Sequence, residues 1–303
     1  MSNGEVCVLA GALFAYALVS RRTDGWPVSM PMVLVAAGAI SDATGLVSLG
    51  TEVEGVALLA EVTLAVILFG DAVRINLTAL HRDVGLPGRL LFIGLPLSVA
   101  LGTAMTALLL TDLSLVEAAL VAAILSPTDA ALGAAVVSDE SVPLRVRQGL
   151  NVESGLNDGM VLPAVLLFLA ISTDEETATG FWAQFVLRQV GLGVLMGVAV
   201  GAVGAWLLTR ALDRNWVAGI YAQLATLAVA ALAFAGSVAA DGNGFIAAFV
   251  AGLAFGQVCD EETAEHLDEY TEDTGQLLAV GAFFVFGNLF VNDALEAVTV
   301  WVV

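Results

Sequence analysis

The chain has 303 residues, of which 59% are apolar and only 13% charged, against averages of roughly 45–50% and 25% in soluble domains. That excludes an ordinary soluble globular domain. Thirty Asp and Glu face ten basic residues, every one of them Arg, for a formal net charge of -20, which excludes nucleic acid as a partner.

Apolar runs of about 18 or more residues read as transmembrane helices, because about 20 residues at a rise of about 1.5 Å cross a hydrocarbon core of about 30 Å. In chain order the spans are expected over 5–20, 27–45, 54–73, 90–111, 115–138, 147–171, 183–209, 216–240, 244–258 and 275–291, with an eleventh beginning near Asp293. The fold class expected is an all-α polytopic membrane protein in one continuous domain. Several spans are rich in Val, yet their length and their Gly and Ala content favour tightly packed helices over strands.

The first span carries Glu5 and no basic residue ahead of it, and Arg21 and Arg22 follow it. It reads as a retained helix with its N-terminus outside, not as a signal peptide. Arg74, Arg82, Arg89, Arg145, Arg147, Arg210 and Arg214 likewise fall in or beside the connections after spans three, five and seven. Nine of the ten arginines thus share the side that the positive-inside rule makes cytoplasmic. Arg188 is the exception. The expected location is the plasma membrane, with the lipid bilayer as partner.

Cys7 and Cys259 fall on opposite faces in this topology and cannot bond within one chain. His81 and His266 lack neighbours at ligand spacing, so no resident metal or cofactor is expected. Two connections are strongly acidic, Asp174 to Glu176 outside and Asp260 to Asp273 inside. They read as solvated surface suited to a halophilic host, in preference to cation-collecting funnels.

A carboxylate inside hydrocarbon costs several kcal/mol and marks a functional site by default. Span five holds Ser126, Pro127, Thr128 and Asp129 near its centre. Pro127 removes a donor and frees carbonyls about one turn earlier, the pattern of a discontinuous helix facing an ion at mid-membrane; the bland alternative is a Pro kink. Span six holds Asn151, Glu153, Ser154, Asn157 and Asp158. Ser154 and Asp158 share one face and offer oxygen ligands to a hard cation, while Glu153 and Asn157 share a neighbouring face, where Glu153 needs a cationic or protonated partner. Protons and a cation then compete for the Asp129 and Asp158 pocket. Asp71 in span three is a further candidate, set against the reading of a solvated interfacial acid. Asp241 and Asn243 look like a turn opening span nine.

The paired motifs Leu125-Ser126-Pro127-Thr128-Asp129-Ala130 and Glu153-Ser154-Gly155-Leu156-Asn157-Asp158-Gly159 closely resemble those of the monovalent cation:proton antiporters, specifically the NhaP-like sodium/proton exchangers. The run ending at Asp71 and the glycine-rich run from Gly242 to Gly252 add to the resemblance, which covers essentially all 303 residues. It implies a sodium/proton antiporter-like fold and a homodimer. A moving core-like set of helices over 54–171 would work against a scaffold-like set over 5–45 and 183–291. It implies that Asp158 is the principal cation and proton carboxylate, with Asp129, Ser154 and the backbone of Thr128 lining a Na⁺ site. Pro127, Asn157, Glu153 and Asp71 support it. The Asn157-Asp158 form implies electroneutral exchange of Na⁺, or another monovalent cation, for H⁺.

The family pattern also includes later helices, among them one with an arginine that pairs with the residue matching Glu153, and no Arg follows Arg214 here. A C-terminally incomplete chain, one completed by a separate polypeptide, and a non-transporting membrane scaffold are the alternatives this raises. An intramembrane aspartyl protease, which also needs two membrane aspartates, fits the Pro-broken helix and the Ser154/Asp158 pair poorly.

Overall fold

The structure, a computed structural model, describes residues 3–23, 28–46, 53–75, 85–128, 141–173, 179–259 and 261–297. All regular elements among them are helical: α1 (Asn3–Thr23), α2 (Met30–Ala43), α3 (Val53–Val73), α4 (Gly85–Leu109), α5 (Leu115–Leu125), α6 (Leu144–Thr173), α7 (Thr179–Asp213), α8 (Gly219–Ala239), α9 (Gly244–Val258) and α10, which runs as Glu261–Phe286, a π-turn Gly287–Val291, and Asn292–Ala297. Five segments among the described residues are long and apolar enough to cross a membrane, in α3, α4, α7, α8 and α10. Each of the ten expected spans overlaps one of these helices; residues 129–138 of the fifth lie outside the described residues.

Two boundaries differ. Residues 261–273, expected as an acidic connection, form the first turns of α10. The reason is a buried stripe at Leu267, Thr271, Gly275 and Ala279, every fourth residue, which the intervening acids mask. Asn292–Ala297, where an eleventh span was expected to begin, continues α10 directly from its π-turn. A second π-turn, Leu90–Gly94, lies in α4 just before Pro96; there the Leu95 N–H reaches back to the Leu90 carbonyl, an adjustment suited to a residue with no N–H to give.

By packing, the chain falls into two compact units, Met1–Leu64 with Asp273–Val303, and Ala65–Glu272.

The larger unit is organised around α9. Lipid gives helices no hydrophobic reason to associate, so close backbone approach through small residues has to supply the packing. On α7, Gly193, Gly197 and Gly201 recur every fourth residue and lie against the backbone carbonyls of Asn243, Ala247 and Ala251 on α9; a Cβ at Gly197 would sit 2.6 Å from the Ala247 oxygen. On α9 itself, Gly252 and Gly256 lie against the carbonyls of Phe69 and Val73 at the end of α3, where Gln257 Nε2 also donates to the Ile75 carbonyl at 3.0 Å. A third approach brings in α6, since a Cβ at Gly159 would meet the Phe249 ring at 2.6 Å. Phe249 in turn packs with Leu68 and Ala72 of α3 and with Met160. The turn into α9 is the one read from the sequence: Asp241 takes a positive φ of 59°, and the Asn243 side chain caps the helix by accepting from the Ile246 N–H at 2.9 Å.

The smaller unit is held by an equally close crossing. Gly38 of α2 lies against the Phe284 carbonyl, and Gly287 of α10 against the Val35 carbonyl. Two asparagines one turn apart then clamp the pair. Asn288 Nδ2 donates to the Gly38 carbonyl at 3.2 Å and to Ser41 Oγ at 3.3 Å. Asn292 Nδ2 donates to the Ala39 carbonyl at 2.9 Å and to the Asp42 carboxylate at 2.7 Å.

Candidate functional site

The site is built where α5 stops. α5 starts from a capping box in which Ser114 Oγ accepts from the Glu117 N–H at 3.3 Å and the Glu117 carboxylate accepts from the Ser114 N–H at 2.7 Å. It ends at Leu125, two residues before Pro127, which cannot donate to the preceding turn. The Ser126 hydroxyl donates to the Ala122 carbonyl at 2.6 Å. Thr128 follows in irregular backbone.

Across from this break, α6 presents Glu153 and Asn157 one turn apart. Asn157 Nδ2 donates to the Thr128 carbonyl at 3.0 Å and to Thr128 Oγ1 at 2.8 Å. The Thr128 hydroxyl donates to the Glu153 carboxylate, at 3.1 Å and 3.3 Å from its two oxygens. The chain of donors therefore runs one way, from amide to hydroxyl to carboxylate. Asn157 Nδ2 also lies 3.4 Å from Glu153 Oε1, a longer contact.

Because a backbone carbonyl can only accept, the Thr128 carbonyl fixes which end of the Asn157 side chain is nitrogen. The Asn157 oxygen is thereby committed. Asn157 is fully buried, and its Oδ1 has no hydrogen-bond partner among the described residues. Leaving a buried carbonyl oxygen unmet costs about 1–3 kcal/mol, which singles out Asn157 Oδ1 among the described residues.

The structure thus brings together Pro127, Thr128, Glu153 and Asn157 of the expected site residues. Where a cationic or protonated partner was expected for Glu153, its partners among the described residues are the Thr128 hydroxyl and, at longer range, the Asn157 amide. Asp129 lies outside the described residues, as do the side chains of Ser154 and Asp158, whose backbone belongs to α6. Asp71 is half-buried in the last turn of α3, in the segment that packs on α9. Of the two cysteines, Cys7 is exposed and Cys259 buried. His81 and the side chain of His266 lie outside the described residues, as do Asp174 to Glu176.

Sequence reasoning passed over the polar clamp of the smaller unit, Ser41, Asp42, Asn288 and Asn292. Its signal was present: two asparagines one turn apart in an apolar helix need partners on a facing helix.

Residues 9–302 match the family described as sodium/hydrogen exchanger, transmembrane. The chain is 27% identical over 254 residues to the K(+)/H(+) antiporter NhaP2 of Shewanella sp. (strain ANA-3), covering 82% of this chain and 43% of that protein. It is 27% identical over 202 residues to the protein of the same name from Shewanella baltica (strain OS223), covering 66% of this chain and 34% of that one. This chain therefore spans less than half the length of these curated relatives. Among solved structures, the sodium proton antiporter MjNhaP1 from Methanocaldococcus jannaschii at pH 8 superposes with a TM-score of 0.75 at 18% identity, covering 96% of this chain and 72% of that one. The fold is thus the antiporter fold, and the chain is a multi-pass membrane protein that belongs to the sodium/hydrogen exchanger family.

Proposed function

We propose that this chain is a secondary transporter that exchanges a monovalent cation, Na⁺ or K⁺, for H⁺ across the plasma membrane. The observation that carries the reading is the helix break at Ser126-Pro127-Thr128, tied by Thr128 to Glu153 and Asn157, with the buried Asn157 oxygen beside it that has no partner among the described residues. Structures that interrupt a helix at membrane depth do so where the freed backbone lines a cavity or an ion path. The relatives' names support the class of cargo but differ on the ion, K⁺ for the curated proteins and Na⁺ for the solved structure.

In this reading Asp158 is the carboxylate for which cation and proton compete, with Asp129, Ser154 and the Thr128 backbone completing the cation's oxygen shell. Thr128 has two tasks. Its carbonyl is held by the amide of Asn157, and its hydroxyl keeps Glu153 in register with the break. A site that must be filled by either a proton or a cation before it can change sides gives one-for-one, electroneutral exchange with no further chemistry. The helices form a single antiporter domain, with core-like helices over 54–171 carrying the site, scaffold-like helices over 5–45 and 183–291, and a homodimeric assembly.

Inverted vesicles with an imposed pH gradient test this. Cation-driven proton release that disappears in Asp158→Asn is expected; undiminished release in that variant refutes the site. A membrane-potential change accompanying transport refutes electroneutrality.

A further inference from the structure

The arginines with described side chains are used in different ways. Arg74 pairs with Glu272 and Arg188 with Asp241, and Arg147 donates to the Val142 carbonyl. Arg210 and Arg214, at the end of α7, pair with no acid among the described residues. Each lies instead over an indole ring, Arg210 at 5.5 Å from the centroid of Trp206 and Arg214 at 4.8 Å from that of Trp216.

The backbone creates this arrangement. Asn215 takes a left-handed φ of 54°, its N–H bonds to the Leu212 carbonyl at 2.8 Å, and the Trp216 N–H bonds to the Ala211 carbonyl at 2.9 Å. That pair of bonds is a Schellman ending, which folds the chain back over the last turn and carries Trp216 to the level of Arg214. Trp206 and Arg210 are one turn apart on the same face of α7. The two indoles and Tyr221, in the first turn of α8, are 53%, 71% and 65% exposed for Trp206, Trp216 and Tyr221. Exposed Leu207 and Ile220 accompany them. Trp and Tyr of this kind mark the level of lipid headgroups, with their apolar neighbours toward the acyl chains.

We propose that the end of α7 and the turn into α8 form a binding surface for the headgroup of an anionic phospholipid. A guanidinium drawn over an indole by the cation–π attraction keeps N–H donors for two oxygens of a phosphodiester. Charge complementarity is local and unusual in this chain, whose formal net charge is -20. Asp213 lies between the two arginines, exposed and paired with neither, so the positive edge remains available. Arginines at a helix C-terminus also complement the helix dipole, but a dipole partner is indifferent to the headgroup beside it. That difference makes the proposal testable.

The full chain, purified in neutral detergent, is mixed with equal phosphatidylglycerol and phosphatidylcholine, and the retained lipid is counted by native mass spectrometry. About fivefold preference per arginine is expected at low ionic strength, falling as salt screens it. Arg210→Gln with Arg214→Gln brings the ratio close to one, while Arg89→Gln, at an exposed arginine of α4, leaves it unchanged. Equal retention of both lipids by the unaltered chain overturns the proposal. So does an equal loss in Arg89→Gln, or displacement of the lipid by millimolar inorganic phosphate, which would indicate a site for a free anion. Should the glutamine pair fail to fold, Arg210→Lys with Arg214→Lys keeps both charges and lowers the ratio by removing the planar fork; an unchanged ratio there overturns the proposal as well.

Discussion

Asn157 offers a sharp separation of stability from function. Replacing it by Leu keeps the volume and branching of the side chain, removes its two short donor contacts to Thr128, and removes the buried Oδ1 that has no partner among the described residues. Two neutral hydrogen bonds contribute about 1–3 kcal/mol in all, and relief of an unmet buried oxygen returns about 1–3 kcal/mol. The terms nearly cancel. The Leu variant is therefore expected to unfold within about 1 kcal/mol of the parent, a change of no more than about 4 °C in melting temperature by scanning fluorimetry. Cation-driven proton release in inverted vesicles is expected to be lost, because Thr128 is no longer fixed against α6 and the buried Oδ1 is gone. Asn157→Ala lacks the compensation: it loses the same bonds and leaves a cavity, so it should be the less stable of the two. An Asn157→Leu variant that is destabilised by more than about 3 kcal/mol yet still exchanges cations would refute the reasoning, since Asn157 would then be a structural strut and nothing more.

Other outcomes follow from the same geometry. Thr128→Val removes the hydroxyl that Glu153 accepts from, a charge-assisted bond of about 1.5–3 kcal/mol, and should cut exchange activity while Thr128→Ser retains most of it; equal activity in both would count against the bond. Gly197→Leu drives a side chain into the Ala247 carbonyl and Val250, and should abolish recovery of monodisperse protein on size-exclusion chromatography, whereas Gly191→Leu, with nothing within 4 Å of a Cβ, should be recovered normally. Asn292→Leu breaks the contact with Asp42 and should lower the melting temperature; a double-mutant cycle with Asp42→Asn should return a coupling energy of about 1 kcal/mol or more. Arg74→Ala, at a partly exposed ion pair with Glu272, should cost no more than about 1 kcal/mol.

The spans were legible because a membrane helix is a long apolar run, and the apolar runs of this chain stand out between its charged connections. The helix break was legible too, since Pro127 acts through its own backbone and needs no partner to be recognised. What a single sequence does not display is pairing. That the Thr128 hydroxyl meets Glu153, 25 positions away, depends on the rotation of α6 against the end of α5, which Gly159 and Phe249 help to set from the other side of α6. The start of α10 was hidden for a different reason. Acidic residues between Leu267 and Thr271 read as a solvated connection, although the period of four in the buried positions was already present.

The glycine positions explain how the expected site residues on α6 and the separate acid Asp71 on α3 are held in one unit. α9 carries two sets of close approaches that use different residues: Ala247 and Ala251 take the glycines of α7, while Gly252 and Gly256 take the carbonyls of α3. A helix fixed by backbone contact on both sides has little freedom to slide, because each contact is a hard steric stop with no flexible side chain to absorb movement. α6 meets the same helix through a ring, Phe249 against Gly159, and Gly159 directly follows Asp158. The residue next to the expected cation carboxylate is thus the one at which α6 rests on the rigid α3–α7–α9 group. A larger side chain at 159 would push α6 away from α9 at that level and shift Glu153 and Asn157 relative to Thr128, with α9 itself undisturbed. The close approach at Gly159 therefore depends on its having no side chain and not on its backbone freedom.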